Sequence, residues 1–186
     1  LLKKFNVEES LNIQSNLESY NLKDVLDIVI AGDELLVSFA AKKNQKDQCA
    51  LVTVARAKVN LDFLKFSILY KTKECTTGTN ALGGRMINYE YKNKKGILLT
   101  TAASGEEKLR AQNENSFYGK IWFMSLDGEK KVMFSKGHRN PQGLLSTGKV
   151  ILSTEHGPYG GDEINKIEYF KNYGYPKSSY GDSYNF

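Results

Sequence analysis

A short strand signature recurs three times in this chain, and it constrains the fold more than any other feature. Three apolar residues precede a hydroxyl residue at 35–38 (Leu-Leu-Val-Ser), 97–100 (Ile-Leu-Leu-Thr) and 150–153 (Val-Ile-Leu-Ser). Each copy belongs to a cycle of strand-like segments separated by turns such as Gly32-Asp33. A repeat of about 50 to 60 residues with about four strands is typical of a β-propeller blade.

The sequence therefore predicts an all-β fold: a partial β-propeller of about three four-stranded antiparallel blades, with no helix longer than about two turns. We expect a single domain over 1–186, with one blade at about 24–75, a second at 83–136 and the start of a third at 141–186. A β-sandwich is the alternative, because its short strands and Asp-Gly turns produce a similar pattern.

The predicted number of blades has a consequence for the whole chain. Propellers usually close with about four to eight blades, so about three blades cannot close a ring alone. We therefore expect a fragment or a processed chain that exposes an apolar edge. Self-association through this open propeller edge is the expected result, because uncovered sheet edges and faces drive association.

The composition limits the classes of function. An apolar content of 40% and a charged content of 25% are typical of a folded rather than a disordered chain. No apolar run approaches the roughly 18 residues of a transmembrane helix. The net charge of +5 is spread over short lysine clusters, which argues against nucleic-acid binding. A mildly basic surface suits a small anionic ligand.

The two cysteines, Cys49 and Cys75, do not have the spacing of metal ligands. They can pair if the strands that contain them are neighbours, which would indicate an oxidising compartment. Two separate, half-buried thiols are the alternative.

Two polar loops flank the third copy of the strand signature, at 137–143 and 153–165. They contain both histidines of the chain and two of its three prolines. The predicted hairpin 144–152 lies between them, and antiparallel strands return to their starting edge, so the two loops should lie together. Loops on a rigid scaffold often contain binding residues, although ordinary Gly/Pro connections would look similar.

These loops also resemble a known family. Gly137-His-Arg-Asn-Pro-Gln-Gly143 and Thr154-Glu-His-Gly-Pro-Tyr-Gly-Gly-Asp-Glu-Ile-Asn165 are similar to the two most characteristic strings of the soluble quinoprotein glucose/sorbosone (aldose sugar) dehydrogenases. Asn172-Tyr-Gly-Tyr-Pro176 resembles the family's Asn-Tyr-Gly-Trp-Pro, and Gly83-Gly-Arg85 is a weaker match. The resemblance covers about residues 22 to 186.

The resemblance implies a six-bladed propeller that binds pyrroloquinoline quinone (PQQ) and calcium and oxidises a small-molecule sugar. It also implies a periplasmic or secreted location, while the electron acceptor cannot be read from the sequence. Arg139, Asn140 and His156 would bind PQQ. A guanidinium pairs well with the carboxylates of this tricarboxylated quinone, and an amide adds a donor.

Calcium ligands are implied in the same way. The carbonyls of Gly157 and Pro158 would hold the cofactor calcium, since calcium prefers oxygen ligands, including backbone carbonyls. Asp162, Glu163 and Tyr173 match the family's second, structural calcium site. A solvated acidic turn is the alternative for the two carboxylates.

One departure from the family concerns catalysis. In the family that this chain resembles, the general base is a histidine a few residues before the Gly-Arg of Gly84-Arg85, in a pattern like His-x-Gly-Gly-Arg, and this chain has Ala81 there. The family's Gly-Asp after the second strand is also replaced, by Ala102-Ala103. Alanine cannot accept the proton of a sugar hydroxyl, so the sequence predicts weak or absent turnover.

Three hypotheses of function remain at this point. The first is a PQQ- and calcium-dependent sugar dehydrogenase with another group in place of the base. The second is a non-catalytic propeller of the same family that binds a ligand or a partner. The third is a β-rich interaction module unrelated to sugar oxidation.

Overall fold

The computed structural model describes residues 13–43, 49–77 and 82–182. These segments contain two 3-10 helices, at Leu17–Tyr20 and Gly105–Ala111, and the rest of the regular structure is β. The strands are β1 Gln14–Ser15, β2 Leu22–Ala31, β3 Glu34–Lys42, β4 Ala50–Lys58, β5 Phe63–Leu64, β6 Ser67–Lys71, β7 Gly83–Tyr91, β8 Lys94–Thr101, β9 Lys120–Ser125, β10 Lys131–Lys136, β11 Pro141–Ser146, β12 Ile151–Glu155, β13 Glu163–Ile167 and β14 Lys171–Asn172. The all-β prediction is confirmed, and none of the described helices could cross a membrane.

The strands form three antiparallel sheets that follow one another along the chain. The first sheet has the order β2-β3-β4-β6, the second β7-β8-β9-β10, and the third β11-β12-β13. The short strand β14 joins the second sheet by pairing in parallel with β10. The short strands β1 and β5 pair with each other in parallel and form a separate two-stranded sheet. Each main sheet is a meander, as in a propeller blade.

The sheets pack in succession, with their first strands adjacent. β7 contacts both β2 and β11, which places these strands along one inner edge. One core lies between the first and second sheets and includes Leu36, Val52, Leu99 and Trp122. A second core lies between the second and third sheets and includes Leu98, Phe123, Ile151 and Ile167. Two cores separated by a shared middle sheet exclude a single β-sandwich.

The three-residue apolar run is explained by burial on both faces of a strand. In β8, Leu98 faces the second core and Leu99 faces the first, and both are fully buried. β12 differs because the far face of its sheet has no neighbour among the described residues. On that face Leu145 is 57% exposed and Ile164 is 76% exposed. The first sheet likewise exposes Ile28 and Ile30.

The far face of the first sheet is partly covered by the N-terminal segment. The Asn16 amide donates to Phe66 O (3.0 Å) and accepts from Phe66 N–H (2.7 Å), and Tyr20 Oη donates to the same carbonyl (2.9 Å). Phe66 is thereby buried against β3 residues such as Phe39. These bonds hold Phe66 at the break between the separate strands β5 and β6.

Cys49 and Cys75 form a disulfide, with a Cα–Cα distance of 5.7 Å. The bridge lies next to the antiparallel pair Ala50 and Thr76, which exchange two backbone hydrogen bonds of 2.8 and 2.9 Å. The structure therefore selects pairing over two separate thiols.

Arg85 connects the first strands of all three sheets. From β7 its Nε donates to Gln142 O (2.8 Å) in β11, and its NH1 donates to Leu26 O (3.0 Å) in β2. The same NH1 lies 3.6 Å from the Asp27 carboxylate. At Gly84 a Cβ would overlap the Leu26 side chain, so the glycine allows the sheets to approach. The Gly-Gly-Arg match is thus explained by packing between sheets.

We expect Arg85→Met to lower the free energy of unfolding by about 1–3 kcal/mol, because it removes two charge-assisted hydrogen bonds at a half-exposed position. Urea denaturation monitored by tryptophan fluorescence measures this change. Lys94→Met is the control, since Lys94 forms only surface ion pairs with Asp127 and Glu129. Equal midpoints for Arg85→Met and Lys94→Met would contradict the role of Arg85.

Candidate functional site

The motif loops lie together at one end of the sheets. Antiparallel strands place alternate connections at opposite ends, so the connections 102–119, 137–140 and 156–162 share one end. The tight turns lie at the other end. The loops contact directly, for example where Ala103 N–H donates to Arg139 O (2.8 Å). The loops singled out from the sequence are therefore neighbours in the fold.

Arg139 and Asn140 are held in place by the loop that follows β12. Arg139 NH1 donates to His156 O (2.8 Å), and His156 N–H donates to Asn140 O (3.1 Å). Asn140 is buried, and its Oδ1 accepts from Gln142 Nε2 (2.8 Å). The structure thus brings together the three residues that the resemblance assigned to PQQ.

The loop after β12 is folded tightly on itself. The Asp162 carboxylate accepts from Gly157 N–H (3.0 Å), and Pro158 O accepts from Gly161 N–H (3.0 Å). A Cβ at Gly157 would collide with the Gly161 backbone, so this position requires glycine. His156 is exposed, with its Nδ1 3.6 Å from Asp162 Oδ2. Because a carbonyl has two lone pairs, Pro158 O can accept this bond and still coordinate a hard cation.

The side chains predicted for the second calcium site bond to different partners. Glu163 Oε2 accepts from Asn165 Nδ2 (2.9 Å). The Tyr173 ring stacks on His138 (4.7 Å between centroids), and its hydroxyl donates to Lys166 O (2.6 Å). Within the described ranges, no group of three or more His, Cys, Asp or Glu side chains is arranged to hold a metal. Calcium here would depend largely on backbone oxygens.

An open cleft of about 590 Å³ lies next to these loops, and Arg139 and Pro158 form part of its wall. Its other lining residues come from the segments 105–109 and 175–179 and include Lys108 and Lys177, which with Arg139 outnumber the carboxylate of Glu106. The volume is typical of small-molecule sites. The basic side chains would attract an anionic ligand such as a tricarboxylate. Arg139 and Pro158 are the predicted site residues that line this cleft, and its size and charge fit an anionic cofactor such as PQQ.

Tyr175 lies on the wall of the cleft beside Arg139. Burial raises the pKa of Tyr175, and the neighbouring Arg139 guanidinium partly opposes this effect. Its hydroxyl therefore stays protonated at neutral pH and is able to donate a hydrogen bond. Gln112 Nε2 donates to Tyr175 O (2.7 Å), which connects the 175–179 wall to the 102–119 loop.

Lys120 holds the 102–119 loop in place through hydrogen bonds from its side chain. Its side chain is fully buried, and its Nζ donates to Arg110 O (2.8 Å), Ala111 O (3.2 Å) and Tyr118 O (2.7 Å). Three carbonyls thus match the three N–H groups of the ammonium. Burial lowers the pKa of Lys120 to about 8. The loop that lines the cleft therefore depends on one buried cation.

This lowered pKa predicts a pH-dependent stability. The ordinary value is 10.5, so the unfolded chain binds the proton more tightly than the folded chain. Raising the pH from 8 to 10.5 should favour folding by at most about 1.4 kcal/mol per pH unit. The measurement is the difference in free energy of unfolding between wild type and Lys120→Met at each pH. Taking this difference cancels the contributions of the other titrating groups. A difference that does not change with pH would mean that the carbonyls keep Lys120 protonated.

The position of the missing general base, Ala81, lies outside the described residues. Its neighbour Leu82 is buried, and Leu82 O accepts from Ala102 N–H (3.2 Å). The chain therefore enters β7 next to the 102–119 loop. The replacement of the base stays a prediction.

Sequence reasoning missed four residues near these loops. Lys108, Lys177 and Tyr175 line the cleft, and Glu155 is buried between the two motif loops. The two lysines resembled ordinary surface charges, and only the fold shows that they face one cleft. Tyr175 and Glu155 were inside the quoted strings, so the motif itself was the available signal.

Three comparisons place the chain among known proteins. A family model described as Glucose / Sorbosone dehydrogenase matches residues 25–186. Aldose sugar dehydrogenase YliI of Escherichia coli (strain K12) is 29% identical over an alignment of 133 residues, and the match covers 63% of this chain and 34% of that protein. Quinoprotein glucose dehydrogenase B of Acinetobacter calcoaceticus is 36% identical over an alignment of 84 residues, and the match covers 38% of this chain and 17% of that protein.

The fold is similar to that of solved enzymes. A crystal structure of a glucose dehydrogenase superposes with a TM-score of 0.74 at 26% identity, over 86% of this chain and 51% of that chain. The likeness confirms the predicted partial β-propeller. The chain thus spans about half the length of that solved structure and about a third of the Escherichia coli relative.

Proposed function

The chain belongs to the glucose/sorbosone dehydrogenase family, and on that premise we propose that it forms part of a PQQ- and calcium-binding site for an aldose sugar. The observation that supports this most is the direct contact between two loops, one with Arg139 and Asn140 and the other with Gly157 and Pro158. When bound, PQQ supplies the quinone that accepts a hydride equivalent from the sugar.

Each residue has a role that its chemistry suits. Arg139 pairs with a carboxylate of the cofactor, and Asn140 adds an amide donor. Lys108 and Lys177 attract the anionic cofactor into the cleft. His156 is exposed beside the same loops, where its ring is able to contact the planar quinone.

The proposed calcium sites use oxygen ligands. The carbonyls of Gly157 and Pro158 bind the calcium that accompanies the cofactor. Asp162 and Glu163, together with backbone oxygens in the region of Tyr173, bind a structural calcium near the base of the loop. Apo and calcium-loaded protein should then differ in the mobility of this loop.

Turnover is proposed to be slow because Ala81 stands where the family has its general base. The same observation favours a second candidate function, a non-catalytic propeller that keeps the ligand site. An assay of aldose oxidation with an electron-acceptor dye separates the two, after reconstitution with PQQ and calcium. Measurable turnover supports a slow enzyme, and cofactor binding without turnover supports the non-catalytic protein.

We propose a periplasmic or secreted location. The disulfide between Cys49 and Cys75 supports this, because such bridges persist in oxidising compartments. Titration of free thiols in the purified protein tests it. Two reactive thiols without reductant would count against an oxidising compartment.

We also propose that this chain self-associates through its two open sheet faces. Ile28 and Ile30 are exposed on the first sheet, and Leu145 and Ile164 on the third. Light scattering on the 186-residue chain should show a dimer or larger species. Ile164→Lys should shift the distribution towards monomer, because a charge on an apolar interface is costly. A monodisperse wild-type monomer at high concentration would contradict this proposal.

A further inference from the structure

A buried carboxylate connects the two motif loops. Glu155, the last residue of β12, is only 6% exposed. Its Oε2 accepts from Arg139 N–H (3.2 Å), and its Oε1 accepts from Asn165 Nδ2 (3.2 Å) in β13. The carboxylate therefore receives donors from the loop before β11 and from the strand after the second loop. A buried charge is retained only with such partners.

The third partner of Glu155 is His138, which is fully buried. His138 Nδ1 lies 2.5 Å from Glu155 Oε1, and its Nε2 lies 2.8 Å from Ser135 Oγ in β10. The ring also stacks on Tyr173, with centroids 4.7 Å apart. The imidazole thus connects Ser135 of the second sheet to Glu155 of the third sheet by a hydrogen bond at each of its nitrogens.

This Ser135–His138–Glu155 arrangement resembles a nucleophilic triad in its hydrogen bonds but cannot act as one. Ser135 is 1% exposed and His138 is fully buried, so no substrate reaches the hydroxyl. A catalytic triad needs an accessible nucleophile. The arrangement must therefore act through the residues that it holds.

The residues that it holds are those of the proposed site. Glu155 binds the backbone of Arg139 directly and immediately precedes His156 and Gly157 in the chain. Two further hydrogen bonds join the same loops: Arg139 NH1 donates to His156 O, and His156 N–H donates to Asn140 O. The buried Glu155 carboxylate is therefore a third connection between the two loops.

We propose that Glu155 and His138 are positioning residues that fix the distance between the Arg139-Asn140 loop and the Gly157-Pro158 loop. The ligand named here, PQQ with calcium, rests on the proposed function, whereas the positioning is a property of the chain alone. Residues behind a metal or cofactor site typically change affinity by about 10- to 100-fold when altered. A residue that only stabilised the fold would change stability throughout the sheet.

Glu155→Gln tests this proposal with little change of shape. The new amide nitrogen cannot accept the hydrogen bonds that one carboxylate oxygen receives, so at least one of the three partners, Arg139 N–H, Asn165 Nδ2 and His138 Nδ1, loses its acceptor. Ile167→Val is the matched control, because Ile167 lies in the core between the same two sheets but outside both loops. Ser135→Ala removes only the far hydrogen bond of His138 and is the milder variant if Glu155→Gln does not fold.

The first readout is amide hydrogen exchange of the protein without ligands. In Glu155→Gln the amides of Arg139, His156 and Gly157 should exchange at least about tenfold faster, whereas those of β8 and β9 should not change. In Ile167→Val the two loops should exchange as in wild type. Unchanged loop exchange in Glu155→Gln, or equal acceleration throughout the sheets, would overturn the positioning role.

The second readout is calorimetric titration with calcium and then with PQQ. Glu155→Gln should raise both dissociation constants by about 10- to 100-fold, and Ile167→Val should leave them near those of wild type. Equal affinities in Glu155→Gln and wild type would overturn the proposal. If wild type binds neither ligand, the proposed function fails, and the exchange experiment still decides whether Glu155 positions the loops.

Discussion

Replacing Ala81 by histidine is expected to raise the rate of aldose oxidation by about 10²- to 10⁴-fold in protein reconstituted with PQQ and calcium. Oxidation at the sugar C1 requires a base that removes the hydroxyl proton, and alanine has no such group. The position directly precedes Leu82, which is packed beside the 102–119 loop at the same end of the sheets as Arg139. The expectation follows from the family's His-x-Gly-Gly-Arg pattern, in which the base stands two residues before Gly83.

Ala81→Asn is the control for this substitution, because asparagine is polar and of similar reach but is not a base at neutral pH. It should leave the slow rate of the wild type unchanged. Stopped-flow reduction of the bound quinone measures the chemical step without the electron acceptor. An ordinary enzyme rate in the wild type, with no gain in Ala81→His, would show that another residue is the base.

Replacing Arg139 by glutamine is expected to weaken PQQ binding by about 2–4 kcal/mol, or roughly 30- to 1000-fold in dissociation constant. The guanidinium is placed by its bond to His156 O at the wall of the basic cleft, where a carboxylate of the cofactor would meet it. The loss includes the cost of leaving that carboxylate unpaired in a partly desolvated site. Titration of PQQ, followed by absorbance, measures the change.

Lys177→Gln is the matched control, since Lys177 lines the same cleft but lies on its exposed outer wall. It should weaken PQQ binding only slightly and mainly at low ionic strength, because exposed charges are screened by salt. Equal losses in the two variants would mean that general charge attraction, rather than a fixed guanidinium, holds the cofactor.

The fold was predictable where burial leaves a pattern in the sequence. β8 is covered on both faces, so its consecutive residues Leu98 and Leu99 are both apolar, and the repeat of such strands indicated blades. The break between β5 and β6 was not predictable. It depends on Asn16, about 50 residues away in sequence, which hydrogen-bonds both backbone groups of Phe66. No local signal reports a contact of that kind.

The site was predictable only as far as its motifs extend. Arg139, Asn140 and Gly157 came from strings whose spacing across one hairpin also places them together. Lys108 and Lys177 are far apart in sequence, and only the packing of the 102–119 loop against the C-terminal segment makes them neighbours of one cleft. Glu155 gave no sign of burial, because a carboxylate at the end of a strand is usually solvated.

We propose that this end of the propeller binds PQQ together with calcium. Calorimetric titration of the protein with PQQ, in calcium and then in excess EDTA, tests it most directly. We expect one PQQ per chain in calcium, a large loss of affinity in EDTA and recovery when calcium is restored. PQQ binding that is absent in calcium, or that is the same with and without it, would show that this end of the propeller is not a joint site for PQQ and calcium.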